Sequence, residues 1–168
     1  MADADYIGKE YPSFSVDVEK GRVKMFANAI GEENPIYSDE EAAKNAGYKG
    51  IPVPPTFPFT ITMEAGQSFN ILEDMGIDVT TAMHGEQGFT YYDHIYAGDT
   101  VTGSQKITDI YEKKGGALQF IEAVIELRNQ NDVHVCDLRS VIVVRRQVAE
   151  GWDMSEINFS ELNAGDAI

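Results

Sequence analysis

The chain has little cysteine, little positive charge and no long apolar run. Its 168 residues include one cysteine, so no disulfide can form within the chain. Nothing beside Cys136 in the sequence would lower the pKa of its thiol, and we expect a buried, unreactive side chain. No apolar run approaches the ~18 residues of a membrane span, and the opening MADADYIGKE has no signal-peptide core. We therefore predict a cytoplasmic protein without a membrane-spanning segment.

Positive charge is scarce enough to exclude one class of partner. Lysine and arginine number 13 against 28 acidic residues, for a formal net charge of −15. Nucleic acid binding needs a basic surface, so we exclude a nucleic acid partner.

The sequence has no recognisable metal or cofactor motif. His84, His94 and His134 do not have metal-ligand spacing, and there is no P-loop, dinucleotide fingerprint or serine-hydrolase elbow. We expect no metal and no cofactor. His84 and Glu86 are alternate residues of a strand pattern, so they should share a face and could form a His–carboxylate pair; the interpretation we favour is that they belong to an ordinary strand edge.

The first half of the chain has helical patterns. Val23, Phe26, Ala27 and Ile30 form one apolar stripe, which predicts a helix over 17–31 that ends at Gly31. Ser38 and Glu41 have the spacing of a capping box, which predicts a short helix through Asn45. Residues 56–75 are apolar on several faces, as in a fully buried helix. Gly66 within that segment suggests the close approach of another backbone.

The second half changes to strand patterns separated by turns, which predicts an antiparallel meander. Ile121, Ala123, Ile125 and Leu127 alternate with charged residues, as in a sheet with one wet face. Helices followed by strands indicate an α+β protein. A curved antiparallel sheet wrapped around a long buried helix is a hotdog fold; another two-layer α/β sandwich is the alternative. We assign this domain to residues 1–146 and an acidic C-terminal tail to 147–168. The predicted strands are 88–92, 100–111, 117–128 and 133–146.

Three sequence blocks carry a resemblance to a known family. Residues 26–43 read FANAIGEENPIYSDEEAA and resemble the Gly-Asp-x-Asn-Pro-Leu-His motif of the MaoC-like hydratase/dehydratase family. Residues 47–57, GYKGIPVPPTF, resemble the approach to the central hotdog helix, and 84–101 resemble a strand and turn of the FAS1-like N-terminal dehydratase branch. The resemblance covers about residues 5–146.

The resemblance implies a specific chemistry. Active family members interconvert 2-enoyl and 3-hydroxyacyl thioesters, with an aspartate and a histidine holding a water as general base and acid. Backbone N–H groups at the start of the buried helix can stabilise the thioester oxyanion. Here Glu32 stands at the aspartate position and Tyr37 at the histidine position, while Asn34 and Pro35 are kept. Tyrosine, with an unperturbed pKa of about 10, is a poor proton shuttle near neutrality.

Three interpretations follow from these departures. In the first, which we favour, this chain is the catalytically incomplete half of a hetero-oligomer whose second hotdog subunit supplies the catalytic residues. In the second, Glu32 and Tyr37 do the chemistry, with the chain acting as a homodimer. In the third, the chain is a hotdog thioesterase or an acyl-thioester binding module.

The resemblance also implies a substrate site and its ligands. We expect an acyl-CoA or acyl-ACP substrate, contacted by Asn34, Thr56, Phe57 and Phe59. Both carriers are anionic, so a local basic patch or a less acidic partner subunit would have to offset the charge of this chain. Residues 159–168 resemble the opening strand of a second MaoC-like domain, or form an ordinary polar tail.

Overall fold

The computed structural model describes residues 4–146. The predictions for the tail, 147–168, therefore lie outside the described residues. The helices are α1 (Lys20–Ala29), α2 (Glu40–Asn45), α3 (Phe57–Glu64) and α4 (Gln67–Asp74). Short 3₁₀ turns occur at Ala4–Tyr6, Pro35–Tyr37, Val79–Thr81 and Lys114–Gly116.

The strands form one antiparallel sheet of five strands in the order β1-β3-β4-β5-β2. The meander prediction is confirmed for β3, β4 and β5, which are consecutive and adjacent. β2 pairs with β5, and a short β1 that the sequence patterns did not predict pairs with β3. The strands are β1 (Phe14–Asp17), β2 (Ala82–Tyr91), β3 (Thr100–Lys113), β4 (Leu118–Asn129) and β5 (His134–Arg145).

The sheet buries one face under the helices, as the alternation in β4 predicted. Ile121, Ala123 and Leu127 each expose 0% of their surface. Phe57 and Ile61 of α3 pack in one apolar cluster with residues of β3, β4 and β5. Ile71 of α4 packs in a second cluster on the same sheet. An antiparallel sheet with apolar helices on one face is the predicted α+β hotdog arrangement.

The long helix predicted over 56–75 is two helices. The chain turns at Gly66, which has φ +71° and is the residue before α4. No atom lies within 4 Å of the position that a side chain would take there, so the expected close approach of another backbone is wrong. Gly66 is instead required by its left-handed backbone conformation. Burial is also incomplete, because Met63 and Phe69 expose 44% and 46% of their surface.

The helix ends near the motif differ in detail from the prediction. α1 begins at Lys20, three residues later than predicted, and Gly31, with φ +71°, follows its end as expected. The capping-box prediction is wrong: Asp39 caps α2, and its side chain accepts a hydrogen bond from the Ala42 N–H at 2.8 Å. Ser38 instead contacts the carbonyl of Pro35. None of the helices within 4–146 is long and apolar enough to cross a membrane.

Candidate functional site

The loop between α1 and α2 holds the motif residues in a fixed shape. The Glu32 carboxylate accepts a hydrogen bond from the Asn34 N–H at 2.8 Å. The Asn34 side chain accepts in turn from the Ile36 N–H at 3.2 Å, which caps the 3₁₀ turn Pro35–Tyr37. Asn34 is therefore a structural residue of this loop, and one oxygen of Glu32 is already occupied.

Tyr37 is poorly suited to proton transfer near neutral pH. Burial and the neighbouring Glu32 raise the pKa of its hydroxyl, so the neutral form dominates over an even wider pH range. Tyr48, which also raises the pKa of Tyr37, packs edge-on against His94 with ring centroids 5.2 Å apart. Within 4–146, no histidine is hydrogen-bonded to Glu32 or Tyr37. The described part of the motif lacks an imidazole where the family chemistry needs one.

Tyr91, at the end of β2, connects the motif loop with the start of α3. Its hydroxyl donates to the carbonyl of Pro55 at 2.5 Å. Burial, Cys136 and Tyr37 all raise the pKa of Tyr91. Cys136 is fully buried, as predicted, and burial raises the pKa of its thiol to about 12. Tyr91, Tyr37 and Cys136 are therefore near neighbours, and all three side chains are neutral at physiological pH.

The first turn of α3 offers few free amide donors for an oxyanion. The Phe57 N–H donates to the Pro54 carbonyl at 2.9 Å, and the Phe59 N–H donates to the Thr56 carbonyl at 3.2 Å. Pro58 between them has no N–H. Thr56 is exposed and makes no side-chain cap. An oxyanion hole built on this turn would thus lose the donors of three consecutive residues, 57–59.

A cavity of about 270 Å³ lies farther along the sheet, under the end of α3 and under α4. It is lined mostly by apolar side chains, including Phe59, Phe69 and Met83. Phe59 stacks on His84 at the wall, with ring centroids 5.3 Å apart. Phe57 is not part of the lining; it exposes 2% of its surface and packs edge-on against Phe26 in the core.

His84 and Glu86 do not act as a pair. A β-bulge at Gly85 interrupts the alternation between them, so the expectation that they share a face is wrong. His84 lines the cavity, and its Nε2 atom lies 3.1 Å from the backbone carbonyl of Glu86. The Glu86 carboxylate instead binds Arg139 at 2.8 Å.

Glu126, His134 and Asp137 are the one group within residues 4–146 with the proximity of metal ligands. Each already has a polar partner. Arg128 Nε donates to Glu126 at 2.6 Å, the Tyr92 hydroxyl donates to Asp137 at 2.9 Å, and His134 Nε2 lies 2.7 Å from Asp137. The arrangement is that of a half-buried hydrogen-bond network.

The two adjacent basic pairs of the sequence, Lys113-Lys114 and Arg145-Arg146, lie at one end of the sheet. Lys113 of β3 lies opposite Leu118 of β4, which lies opposite Arg145 of β5. Arg146 forms an ion pair with Glu112 at 2.6 Å, whereas Arg145 is exposed. Lys113 and Arg145 share the face of Leu118, whereas Val144 and its partner Ala82 belong to the cavity face. The two exposed cations therefore lie on the side of the sheet opposite to the cavity.

Comparison with known proteins agrees with this architecture. The model of the FAS1-like, dehydratase domain region family matches residues 5–138. The chain belongs to this family. A UPF0336 protein of Thermobifida fusca is 36% identical over 149 residues, covering 88% of this chain and 96% of the relative.

Solved structures with the same fold include subunits of heteromeric complexes. The C-terminally truncated HadBC (3R-hydroxyacyl-ACP dehydratase) complex of Mycobacterium tuberculosis matches with a TM-score of 0.71 and 21% identity, over 83% of this chain and 98% of that one. The ChsH1-ChsH2 complex of the same organism matches with a TM-score of 0.67 and 23% identity, over 83% and 90%. At these identities the likeness shows the hotdog fold of the MaoC-like proteins.

Proposed function

We propose that this FAS1-like dehydratase family member is the non-catalytic half of a heteromeric hydratase/dehydratase that acts on acyl thioesters. In this proposal the cavity holds the acyl chain, and a second hotdog subunit supplies the catalytic aspartate and histidine. The reaction is the interconversion of 2-enoyl and 3-hydroxyacyl thioesters.

The state of the motif is the observation that carries this proposal. The Glu32 carboxylate is held by the loop that it belongs to, and Tyr37 has a raised pKa and, among residues 4–146, no imidazole hydrogen-bonded to it. A general base and acid with pKa values near the working pH are needed for this chemistry. Two further features support the proposal. Residues 57–59 leave no free N–H for an oxyanion, and the fold of this chain is similar to that of subunits from two heteromeric complexes.

The experiment measures hydration of a 2-enoyl-CoA series by the chain alone and after mixing with a family protein that has the intact Asp/His motif. We expect no turnover alone and turnover by the mixture. Glu32→Ala and Tyr37→Phe in this chain should change the rate of the mixture less than about tenfold, since neither group is asked to transfer a proton. Turnover by the chain alone that both substitutions abolish would overturn the proposal and favour a self-sufficient site.

A further inference from the structure

Two glutamines border the cavity and have unpaired side-chain oxygens. Gln105 lies on β3 and exposes 4% of its surface, and Gln87 lies on β2. Within residues 4–146 the Oε1 atom of each is buried without a hydrogen-bond partner. Buried polar side chains in native proteins nearly always have a partner, so each of these needs an explanation.

The amide of Gln87 has a fixed orientation. Its Nε2 atom donates to the carbonyls of Gly88 at 3.2 Å and Arg139 at 3.1 Å. Exchanging the two ends of the amide would lose both bonds. The oxygen is therefore the end that remains for another partner.

The amide of Gln105 is not restrained. Its backbone carbonyl accepts from the Tyr11 N–H at 2.8 Å, which fixes the main chain. Its side chain makes no hydrogen bond within the part of the chain that the structure describes. An unrestrained amide at a cavity wall can turn to present a donor, an acceptor or both to an occupant.

The sheet register places the two glutamines on opposite sides of the cavity floor. Gln105 lies opposite Ile125, and Ile125 lies opposite Leu138 on β5. Ser140, two residues on, lies opposite Gln87. Three strand spacings of about 4.8 Å separate β3 from β2, so the two strands are roughly 14 Å apart across the sheet. An occupant passes over an apolar floor with a polar group at either side.

We propose that Gln105 makes the cavity selective for acyl chains that carry a hydroxyl group on the segment held inside it. This inference rests on the proposed function, in which the cavity holds the acyl chain. A hydroxyl can donate to the Oε1 atom of Gln105 and accept from its Nε2 atom. A plain alkyl chain leaves the amide buried and unpaired. Sites with buried polar groups discriminate strongly against ligands that lack the matching hydroxyl.

The test is a set of dissociation constants, measured by calorimetry on the full chain, for decanoyl-CoA and a positional series of hydroxydecanoyl-CoAs with the hydroxyl beyond carbon 3, since the proposed function already involves a hydroxyl at carbon 3. We expect at least one hydroxylated isomer to bind about tenfold or more tightly than decanoyl-CoA. Gln105→Met, which keeps the length of the side chain, should reduce that ratio to about twofold or less. Gln119→Met is the control, because Gln119 is a buried glutamine that does not line the cavity, and it should leave the ratio unchanged.

The possible outcomes separate this inference from the proposed function. Binding of decanoyl-CoA as tightly as every hydroxylated isomer would overturn the selectivity and leave the acyl-chain site intact. No binding of any probe would overturn both. Loss of the preference in both Gln105→Met and Gln119→Met would assign it to general destabilisation and overturn the role of Gln105. The ratio of dissociation constants for the wild type tests the selectivity without any variant. Gln105→Leu replaces Gln105→Met if the methionine variant does not fold.

Discussion

Replacing Gln105 with methionine should stabilise the ligand-free protein. Burying a carbonyl oxygen without a partner costs about 1–3 kcal/mol, and removing it together with its amide relieves that cost. Gln105 exposes 4% of its surface and lies between apolar positions of the core face, so methionine fits there and its introduction breaks no hydrogen bond. For a chain of this size, 1 kcal/mol corresponds to about 2–4 °C in Tm. The expected rise is therefore roughly 2–12 °C.

The assay is thermal and denaturant unfolding of the wild type and of two matched variants. Gln119→Met is the comparison, because the Nε2 atom of Gln119 has no partner among residues 4–146 but its oxygen accepts from Arg146 at 2.7 Å. Losing that bond offsets the relief of the unpaired donor, so its Tm should lie within about 4 °C of the wild type. A Gln105→Met protein no more stable than the wild type would mean that the Gln105 amide is satisfied in solution. The reasoning about an unpaired amide would then fail.

Three other substitutions or measurements have outcomes that the structure predicts. Gly103→Ala should lower the free energy of unfolding by about 1–3 kcal/mol, because the added carbon would lie 2.4 Å from the ring of Phe14. Gly88→Ala is the control, since the nearest atom to its added carbon lies at 3.7 Å. Equal losses of stability in the two variants would refute the argument. Cys136, with a pKa of about 12, should react with a thiol reagent at pH 8.5 at least about a hundredfold more slowly in the folded than in the unfolded protein, and comparable rates would contradict its burial. The hydrogen bond from Lys9 is the main cause that lowers the pKa of Asp74, so the stabilisation by this ion pair is present above the ordinary aspartate pKa and is lost as pH falls. The difference in unfolding free energy between the wild type and Asp74→Asn should therefore shrink in acid. A difference that stays constant with pH would count against this ion pair.

Period-two patterns predicted the strands well because one face of the sheet is buried. The alternating residues of β4 lie on the core face, and the predicted ends of β3, β4 and β5 lie within two residues of the observed ends. β2 was predicted too short, because the bulge at Gly85 breaks the alternation near its start. β1 has four residues and no fully buried side chain, which is too little pattern to detect.

The helices and the cavity were harder to predict, because their form depends on contacts between distant segments. The apolar faces of 56–75 suggested one buried helix, but Met63 and Phe69 are half-exposed and line the cavity instead. Gly66 could have indicated a break, since glycine is common where the chain takes a left-handed conformation. The sequence could also have indicated that Gln105 is a buried polar residue. Gln105 lies on the same face of the strand as Val101 and Ile107, so the alternation places it on the core face.

The motif and the cavity are built by different elements, and this separation has a functional consequence. The motif residues belong to the loop between α1 and α2, whereas Gln105 lies on β3, opposite Ile125 in the floor of the cavity. Replacing the catalytic residues of a hotdog domain therefore need not alter its ability to hold an acyl chain. Under the proposed function, substitutions at Glu32 and Tyr37 should leave the dissociation constants of acyl-CoA probes within about twofold, while Gln105→Met changes them selectively. A parallel loss of affinity at both places would mean that the two elements form one site.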